Sequence, residues 1–194
     1  GPQVPYGLAI ALLTVFALGF GWITLSFWAA LIGFVLKIFG LHPLSLRRKG
    51  AGDGDVPVLK GRTAILVPVY NEDPAEVFAR MATTWRSLET TGQSGSFELF
   101  VLSDTTQDEI AAEESAGIEV LREQLGIGER LHWRRRTKNI GRKAGNIMEW
   151  VDTHGARFDH MIVFDADSVM SGDTMVRLAA LMEASPRTGI IQTH

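Results

Sequence analysis

The sequence of 194 residues contains no cysteine. This absence excludes a disulfide framework, a thiol nucleophile and a zinc site with cysteine ligands. A strong excess of basic residues is also lacking, because 22 Asp and Glu face 19 Lys and Arg. A dedicated nucleic-acid-binding domain is usually strongly basic, so nucleic acid is not an expected partner. Hydrophobic residues make up 46 % of the chain, too large a share for a disordered protein.

The first 36 residues contain no Asp, Glu, Lys or Arg. A bilayer core about 30 Å thick is crossed by about 20 apolar helical residues, and the apolar run from Tyr6 to Phe39 is longer. One tilted membrane-spanning helix within residues 1–40 fits this run best. The alternatives are two spans that turn near Gly19–Gly21 and a buried helix of a soluble protein. A cleaved signal peptide fits less well, because a basic leader is lacking and the run is too long.

Basic residues follow this apolar run. Only Asp53 and Asp55 oppose six cations between residues 37 and 62, namely Lys37, Arg47, Arg48, Lys49, Lys60 and Arg62. The positive-inside rule therefore places the residues after about 40 in the cytoplasm. Residues 50–55 are rich in Gly and Asp, which is typical of a flexible linker. We expect a cytoplasmic linker over residues 41–61 and a separate domain over residues 62–194.

From Thr63 onward, apolar strand patterns alternate with amphipathic helix patterns. Strands are predicted at residues 64–67, 97–102, 131–134, 161–164 and 189–192. Helices are predicted after Asp73, at 108–125, from near Arg142, and after a capping Asp173. This alternation predicts an α/β fold with an open, mostly parallel sheet and helices on both faces. Ligands bind beyond the carboxyl ends of the strands in such sheets.

Asp165 and Asp167 follow the fourth predicted strand. Alternate strand positions point to the same side, so both carboxylates can face one point where the strand ends. Two clustered carboxylates repel each other unless a cation lies between them or one is protonated. Mg²⁺ and Mn²⁺ prefer such oxygen ligands and bridge to phosphate groups. The alternative is a pair of aspartates that only cap a loop.

Residues 130–143 hold seven Lys and Arg in fourteen positions and no acidic residue. Alone, this stretch is typical of a solvated strand edge, a contact with anionic lipid or an RNA patch. Beside a carboxylate–metal site, its cations could neutralise a diphosphate. Lys143 lies near the beginning of a predicted helix, where a cation is unfavourable against the helix dipole. A bound anion would explain its presence there.

Asn71, Glu72 and Asp104 follow the first two predicted strands. Their side chains could accept hydrogen bonds from a base or a ribose, or they could shape the turns in which they lie. Parallel strands bring these residues to the same edge as Lys143 and the two later aspartates. Together they predict a site for a nucleoside diphosphate.

Four short segments carry a resemblance to a known family. In chain order they are Val67-Pro68-Val69-Tyr70-Asn71-Glu72, Ser103-Asp104, Lys143-Ala144-Gly145-Asn146 and Asp165-Ala166-Asp167. They resemble the motifs of the family-2 processive glycosyltransferases, which include cellulose and hyaluronan synthases. Residues 102–104, 134–136, 142–146 and 165–173 are most similar to the members of that family that make osmoregulated periplasmic glucans. The resemblance covers residues 6–192.

The resemblance implies a GT-A-type fold and a membrane-bound enzyme of the bacterial inner membrane that transfers glucose from UDP-glucose with inversion to build a β-1,2-glucan backbone. By the same resemblance, Asp104 holds the uracil, and Asn71 and Glu72 lie near the nucleoside. Lys143 contacts the nucleotide, while Asp165 and Asp167 bind the diphosphate and a divalent cation, Mg²⁺ or Mn²⁺. Asp165 and Asp167 form the DxD motif of such enzymes.

The family's general base and acceptor motif are expected beyond His194. We therefore expect residues 62–194 to be the donor-binding half of the catalytic domain, inactive as a polymerase without the acceptor half. The implied partners are UDP-glucose, the growing glucan, the lipid bilayer and periplasmic glucan-modifying proteins.

Other functions fit parts of the sequence. Within the transferases, a cellulose-like synthase or a lipid-linked sugar transferase is the alternative. A phosphatase of the haloacid-dehalogenase type also has Asp-x-Asp after an apolar strand, although there the motif closes the first strand. A module that binds UDP-sugar without catalysis is a further alternative.

Overall fold

A computed structural model describes residues 5–39 and 58–192. The chain divides into two units between Arg47 and Arg48, and each is described by itself. Most of the predicted linker at residues 41–61 lies outside the described residues. The helices are α1 (Tyr6–Ile38), α2 (Pro74–Glu89), α3 (Asp108–Leu125), α4 (Arg142–His154) and α5 (Gly172–Ala184). The strands are β1 (Thr63–Val69), β2 (Phe97–Ser103), β3 (Leu131–Arg135) and β4 (His160–Val163).

Helix α1 is one uninterrupted helix of 33 residues. Its segment Tyr6–Leu36 is long and apolar enough to cross a membrane. Most of its large apolar side chains are exposed and none of those that the structure describes is buried, which suits contact with lipid better than the core of a soluble protein. The hydroxyl groups of Thr14 and Ser26 donate to the carbonyl oxygens of Ile10 and Trp22, four residues earlier. Both hydroxyl groups are therefore satisfied without water.

The four strands of the second unit form one parallel sheet in the order β3-β2-β1-β4. Alternate residues of β1 enter two different apolar clusters. Ile65 and Val67 pack in the larger cluster with side chains of α2, α3 and α5, whereas Ala64 and Leu66 pack in a smaller one with Trp150 of α4. Helices therefore cover both faces of the sheet, and the predicted fold class is confirmed.

Two details of the sequence prediction are wrong. Residues 189–192 form no strand, and Ile190 is 86 % exposed. The apolar character of this segment favours a strand, but no strand of the described chain pairs with it, and an unpaired strand leaves its backbone groups unsatisfied. The N-cap of α5 is Ser171, whose Oγ accepts a hydrogen bond from the backbone of Thr174, while Asp173 lies in the first turn.

The beginning of α5 packs directly on the backbone of α2. A Cβ atom added to Gly172 would lie 2.2 Å from the carbonyl oxygen of Ser87. Gly172→Ala should therefore cost about 1–3 kcal/mol, because the neighbouring atoms are backbone and must shift together. Chemical denaturation of the whole chain in detergent would measure this loss. Gly95→Ala is the matched control, since nothing lies within 4 Å of its Cβ position, and an equal loss in both variants would contradict the packing argument.

Burial lowers the pKa of His154, and the nearby cations Arg134 and Arg157 lower it further. The His154 ring stacks on Trp150, with the ring centroids 6.0 Å apart. A histidine that is neutral in the folded state contributes stability above its unfolded pKa of about 6.5, and this is lost as pH falls below that value. Thermal unfolding from pH 7.5 to 5.5 should show a steeper loss for the wild type than for His154→Gln. Parallel curves would contradict this expectation.

Candidate functional site

A cleft of about 1140 Å³ lies at the carboxyl ends of the strands. Five of the six predicted site residues line it, namely Glu72, Asp104, Lys143, Asp165 and Asp167. Glu72 and Asp104 follow β1 and β2, Lys143 lies in the first turn of the helix after β3, and the two aspartates follow β4. The parallel topology therefore brings them together from distant points of the chain. These residues therefore converge on one edge of the sheet in the structure, as predicted.

Asn71, the sixth predicted residue, lies beside the cleft and joins the ends of β1 and β2. Its φ of +54° is in the left-handed region, which asparagine tolerates better than most residues. Its Oδ1 accepts hydrogen bonds from the backbone of Thr106 at 2.9 Å and of Gln107 at 3.2 Å. Its own backbone N–H donates to Thr105 Oγ1. These bonds shape the rim of the cleft, and a contact between Asn71 and a nucleoside stays a prediction.

Glu72 is exposed at the end of β1 and lines the cleft. Its Oε2 accepts a hydrogen bond from the backbone N–H of Tyr70, so the carboxylate folds back on its own turn. Helix α2 follows this turn, as predicted, and its N-cap is Asp73, whose Oδ1 accepts a hydrogen bond from the backbone N–H of Ala75 at 2.8 Å. Helix α2 thereby contributes Glu76 and Arg80 to the cleft wall.

Asp104 is buried at the end of β2 and is paired with Arg136. The guanidinium group donates from Nε to Oδ1 at 2.7 Å and from Nη2 to Oδ2 at 2.8 Å, a bidentate arrangement. The side chains of Arg136 and Asp104 are only 4 % and 7 % exposed. Hydrogen bonding to Asp104 raises the pKa of Arg136 above its ordinary value, against the opposing effect of burial. Arg136 therefore stays charged.

Asn146 of α4 completes the surroundings of the Asp104 carboxylate. Its Nδ2 donates to Asp104 Oδ1 at 2.9 Å and to the carbonyl oxygen of Leu102 at 3.0 Å. Its Oδ1 accepts from Arg134. Three of about four acceptor positions of the Asp104 carboxylate are thus occupied, and the position that remains is on Oδ2. Asp104 can accept one further hydrogen bond.

Residues 136–141, which we call the β3–α4 loop, deliver Lys143 to the cleft. Arg136 Nη1 donates to the carbonyl oxygen of Ile140, and Nη2 donates to that of Arg142. The loop then closes tightly on the helix, because a Cβ atom on Gly145 would lie 2.0 Å from the oxygen of Ile140. Gly141 and Arg142 both have positive φ, at 71° and 50°. The beginning of α4 is therefore held in one backbone conformation.

Asp165 and Asp167 lie in a turn, because β4 ends at Val163. The backbone N–H of Ser168 donates to the carbonyl oxygen of Asp165 at 2.9 Å, closing this turn. The prediction that strand alternation aligns the two carboxylates is therefore replaced by a turn that brings both to the cleft. Asp165 forms an ion pair with Lys143. Both aspartates are exposed.

The donor set suits a divalent cation only in part. Within residues 5–39 and 58–192, no group of three or more His, Asp or Glu side chains is arranged to hold a metal ion. Two exposed carboxylates on one turn can still supply two oxygen ligands to Mg²⁺ or Mn²⁺, which usually keep several waters and bind substrate phosphates. The residues fit such an ion if the remaining ligands come from a diphosphate and water.

Arg136 and Asn146 are the site residues whose roles the sequence did not assign. Arg136 was one cation of a basic stretch, and Asn146 was the last residue of a motif. The signal that could have separated Arg136 from its neighbours is its position directly after β3, where the ladder continues through its backbone bond to Ser103. A side chain there faces the end of β2 and therefore Asp104.

The fold and the cleft together define an α/β protein with a polar site at the carboxyl edge of a parallel sheet. No protein-family model matches the chain. Curated proteins named glucans biosynthesis glucosyltransferase H do match it. The protein from Xylella fastidiosa (strain 9a5c) is 45 % identical over 184 residues, which cover 94 % of this chain and 28 % of that protein.

The protein of the same name from Rhodopseudomonas palustris (strain BisA53) is 44 % identical over 195 residues, covering all of this chain and 26 % of the relative. That from Pseudomonas savastanoi pv. phaseolicola is 42 % identical over 192 residues, covering 98 % and 22 %. The resemblance predicted from the motifs is confirmed. The chain spans about a quarter of the length of these relatives.

The buried ion pair yields a stability prediction. Arg136→Met leaves the Asp104 carboxylate buried without a counter-charge, so unfolding should become easier by about 3–5 kcal/mol. Arg135→Met is the matched control, because Arg135 pairs with Asp108, whose side chain is 91 % exposed, and such pairs contribute at most about 1 kcal/mol. Chemical denaturation would compare the two variants. Equal losses would contradict the importance assigned to the buried pair.

Proposed function

We propose that this chain is the nucleotide-sugar-binding part of a membrane-bound glucosyltransferase that uses UDP-glucose to build the β-1,2-glucan backbone of periplasmic glucans. The observation that carries the proposal is the convergence of five motif residues on one cleft, in a chain 42–45 % identical to part of proteins named for glucan biosynthesis. The apolar helix α1 is the proposed anchor in the bacterial inner membrane, with the sheet on the cytoplasmic side.

The nucleoside side of the cleft is formed by Asp104 and the ends of β1 and β2. The free acceptor position on Asp104 Oδ2 suits a single N–H donor, such as N3–H of uracil. Because Arg136 and Asn146 fix the carboxylate, it needs no reorganisation when a base binds. This preorganisation supports the proposed role of Asp104 in recognising the base.

The charge of the cleft supports a diphosphate that binds together with a cation. Six acidic and three basic residues line the cleft, so it is net negative before any ligand enters. A diphosphate alone would be repelled by this excess. Asp165 and Asp167 would hold Mg²⁺ or Mn²⁺, which when bound neutralises the charge that develops on a UDP leaving group.

Lys143 supplies a second source of positive charge. It lies in the first turn of α4, at the positive end of the helix dipole, and its ammonium group contacts Asp165. Phosphate oxygens bound here would face Lys143 and the turn that carries the two aspartates. In the proposed inverting transfer, the leaving diphosphate departs toward this side of the cleft. Deprotonation of the acceptor hydroxyl is assigned to none of these residues.

This proposal predicts strongly metal-dependent binding. UDP-glucose should bind the whole chain in the presence of Mn²⁺, measured by calorimetry, and EDTA should abolish binding. Asp167→Asn should weaken the affinity at least about tenfold, or about 1.4 kcal/mol, because it removes one anionic ligand. Asp152→Asn is the matched control, an exposed carboxylate on α4 that does not line the cleft. Unchanged affinity in Asp167→Asn would contradict the assigned metal site.

Two other measurements separate the alternative functions. A phosphatase would form an aspartyl-phosphate on Asp165, which mass spectrometry would detect after incubation with a phosphate ester. Asp165 follows the last strand along the described chain and not the first, which does not favour this alternative. A cellulose-like synthase would share the cleft, so the linkage of the product made by the whole relative would distinguish it.

A further inference from the structure

The β3–α4 loop and the end of β2 meet at one side chain, that of Arg136. We propose that Arg136 is a positioning residue that couples Asp104, on the nucleoside side of the cleft, to Lys143, on the diphosphate side. This inference rests on the proposed function for its ligand, although its geometry is independent of it. Arg136 itself does not line the cleft.

The guanidinium group of Arg136 donates hydrogen bonds to three residues. Nε donates to Oδ1 of Asp104, and Nη2 donates to Oδ2. Nη1 and Nη2 also donate to the carbonyl oxygens of Ile140 at 3.2 Å and Arg142 at 3.1 Å. Four of its five N–H groups are thereby used within one planar group. One rigid side chain fixes two separate parts of the site.

Two of these bonds reach the chain segment just before Lys143. The Ile140 and Arg142 carbonyl groups belong to the residues that lead directly into Lys143. Asn139 Nδ2 also donates to the carbonyl oxygen of Asp104. The loop is therefore bonded both to the side chain of Asp104, through Arg136, and to its backbone, through Asn139. A shift of Arg136 relative to Asp104 must therefore move the beginning of α4.

The β3–α4 loop fits tightly against the first turn of α4. Gly145 has no space for a Cβ atom, because Ile140 O would be 2.0 Å away and Arg136 Nη1 3.5 Å away. The Ile140 carbonyl group therefore lies directly against the backbone of α4. The carboxylate of Glu149 in α4 lies 3.7 Å from Arg136 Nη1, and its negative charge attracts the guanidinium group. The loop is thus packed closely between Arg136 and the first turn of α4.

A lysine at position 136 cannot make the same set of hydrogen bonds. It keeps the positive charge that Asp104 requires, but an ammonium group lacks the planar fork and has only three N–H groups. Arg136→Lys should therefore keep the fold and lose the link to the loop. Arg135→Lys is the matched control, since Arg135 is the preceding residue and binds the exposed Asp108 and the carbonyl oxygen of Thr105.

The test has two readouts on the whole chain. In the first, without ligand, amide hydrogen exchange of residues 139–145 should become at least about tenfold faster in Arg136→Lys than in the wild type or Arg135→Lys, with the sheet strands unchanged. In the second, with Mn²⁺ and UDP in calorimetry, Arg136→Lys should weaken binding at least about tenfold, and Arg135→Lys less than about twofold.

A double-mutant cycle with Lys143→Met separates positioning from general destabilisation. If Arg136 acts through Lys143, the double variant should lose clearly less affinity than the product of the two single losses. Additive losses overturn the proposal. Gly145→Ala keeps Arg136 and Asp104 and displaces mainly the Ile140 carbonyl group, so it should also weaken UDP binding. This variant keeps the proposal falsifiable if Arg136→Lys fails to fold.

The outcomes also distinguish this inference from the function on which it rests. A wild-type chain that does not bind UDP refutes the proposed function, while faster exchange in Arg136→Lys still supports the coupling of the loop to Asp104. UDP binding by the wild type with unchanged exchange in Arg136→Lys overturns the positioning role and leaves the proposed function standing.

Discussion

The buried ion pair between Arg136 and Asp104 is the interaction on which the arrangement of the cleft depends. A buried carboxylate is costly unless it is paired and hydrogen-bonded, and Asp104 satisfies both conditions through Arg136 and Asn146. The same guanidinium group holds the loop that leads to Lys143. The polar end of β2, the loop after β3 and the beginning of α4 therefore form one connected unit.

Parallel topology explains why most of this site could be predicted from the sequence. Strands such as β1 and β2 read as apolar runs because both faces are buried. Once their direction was inferred, the carboxyl ends and their polar residues had to meet at one edge. The five cleft residues were accordingly predicted as a set, although no single motif was specific.

Other features depend on contacts that a sequence pattern does not contain. In the sequence, Arg136 is one of seven cations within residues 130–143. Only its contact with Asp104, which comes from a different strand, gives Arg136 a distinct role. Strand alternation was expected to turn Asp165 and Asp167 to the same side where the strand ends, yet β4 ends at Val163 and a turn presents them. Residues 189–192 have strand propensity without a partner. Propensity is local, whereas pairing is decided by tertiary structure.

Strand β4 is only four residues long, and among the described residues it pairs with β1 alone. Its outer face carries Met161 and Val163, which are 48 % and 41 % exposed. The turn with Asp165 and Asp167 thus extends from the most weakly held strand of the sheet. A ligand that binds to this turn also stabilises the pairing of β4 with β1, because the turn continues from β4. The occupancy of the cleft and the order of β4 therefore increase together. When the ligand dissociates from the cleft, local unfolding of the sheet would then begin at β4.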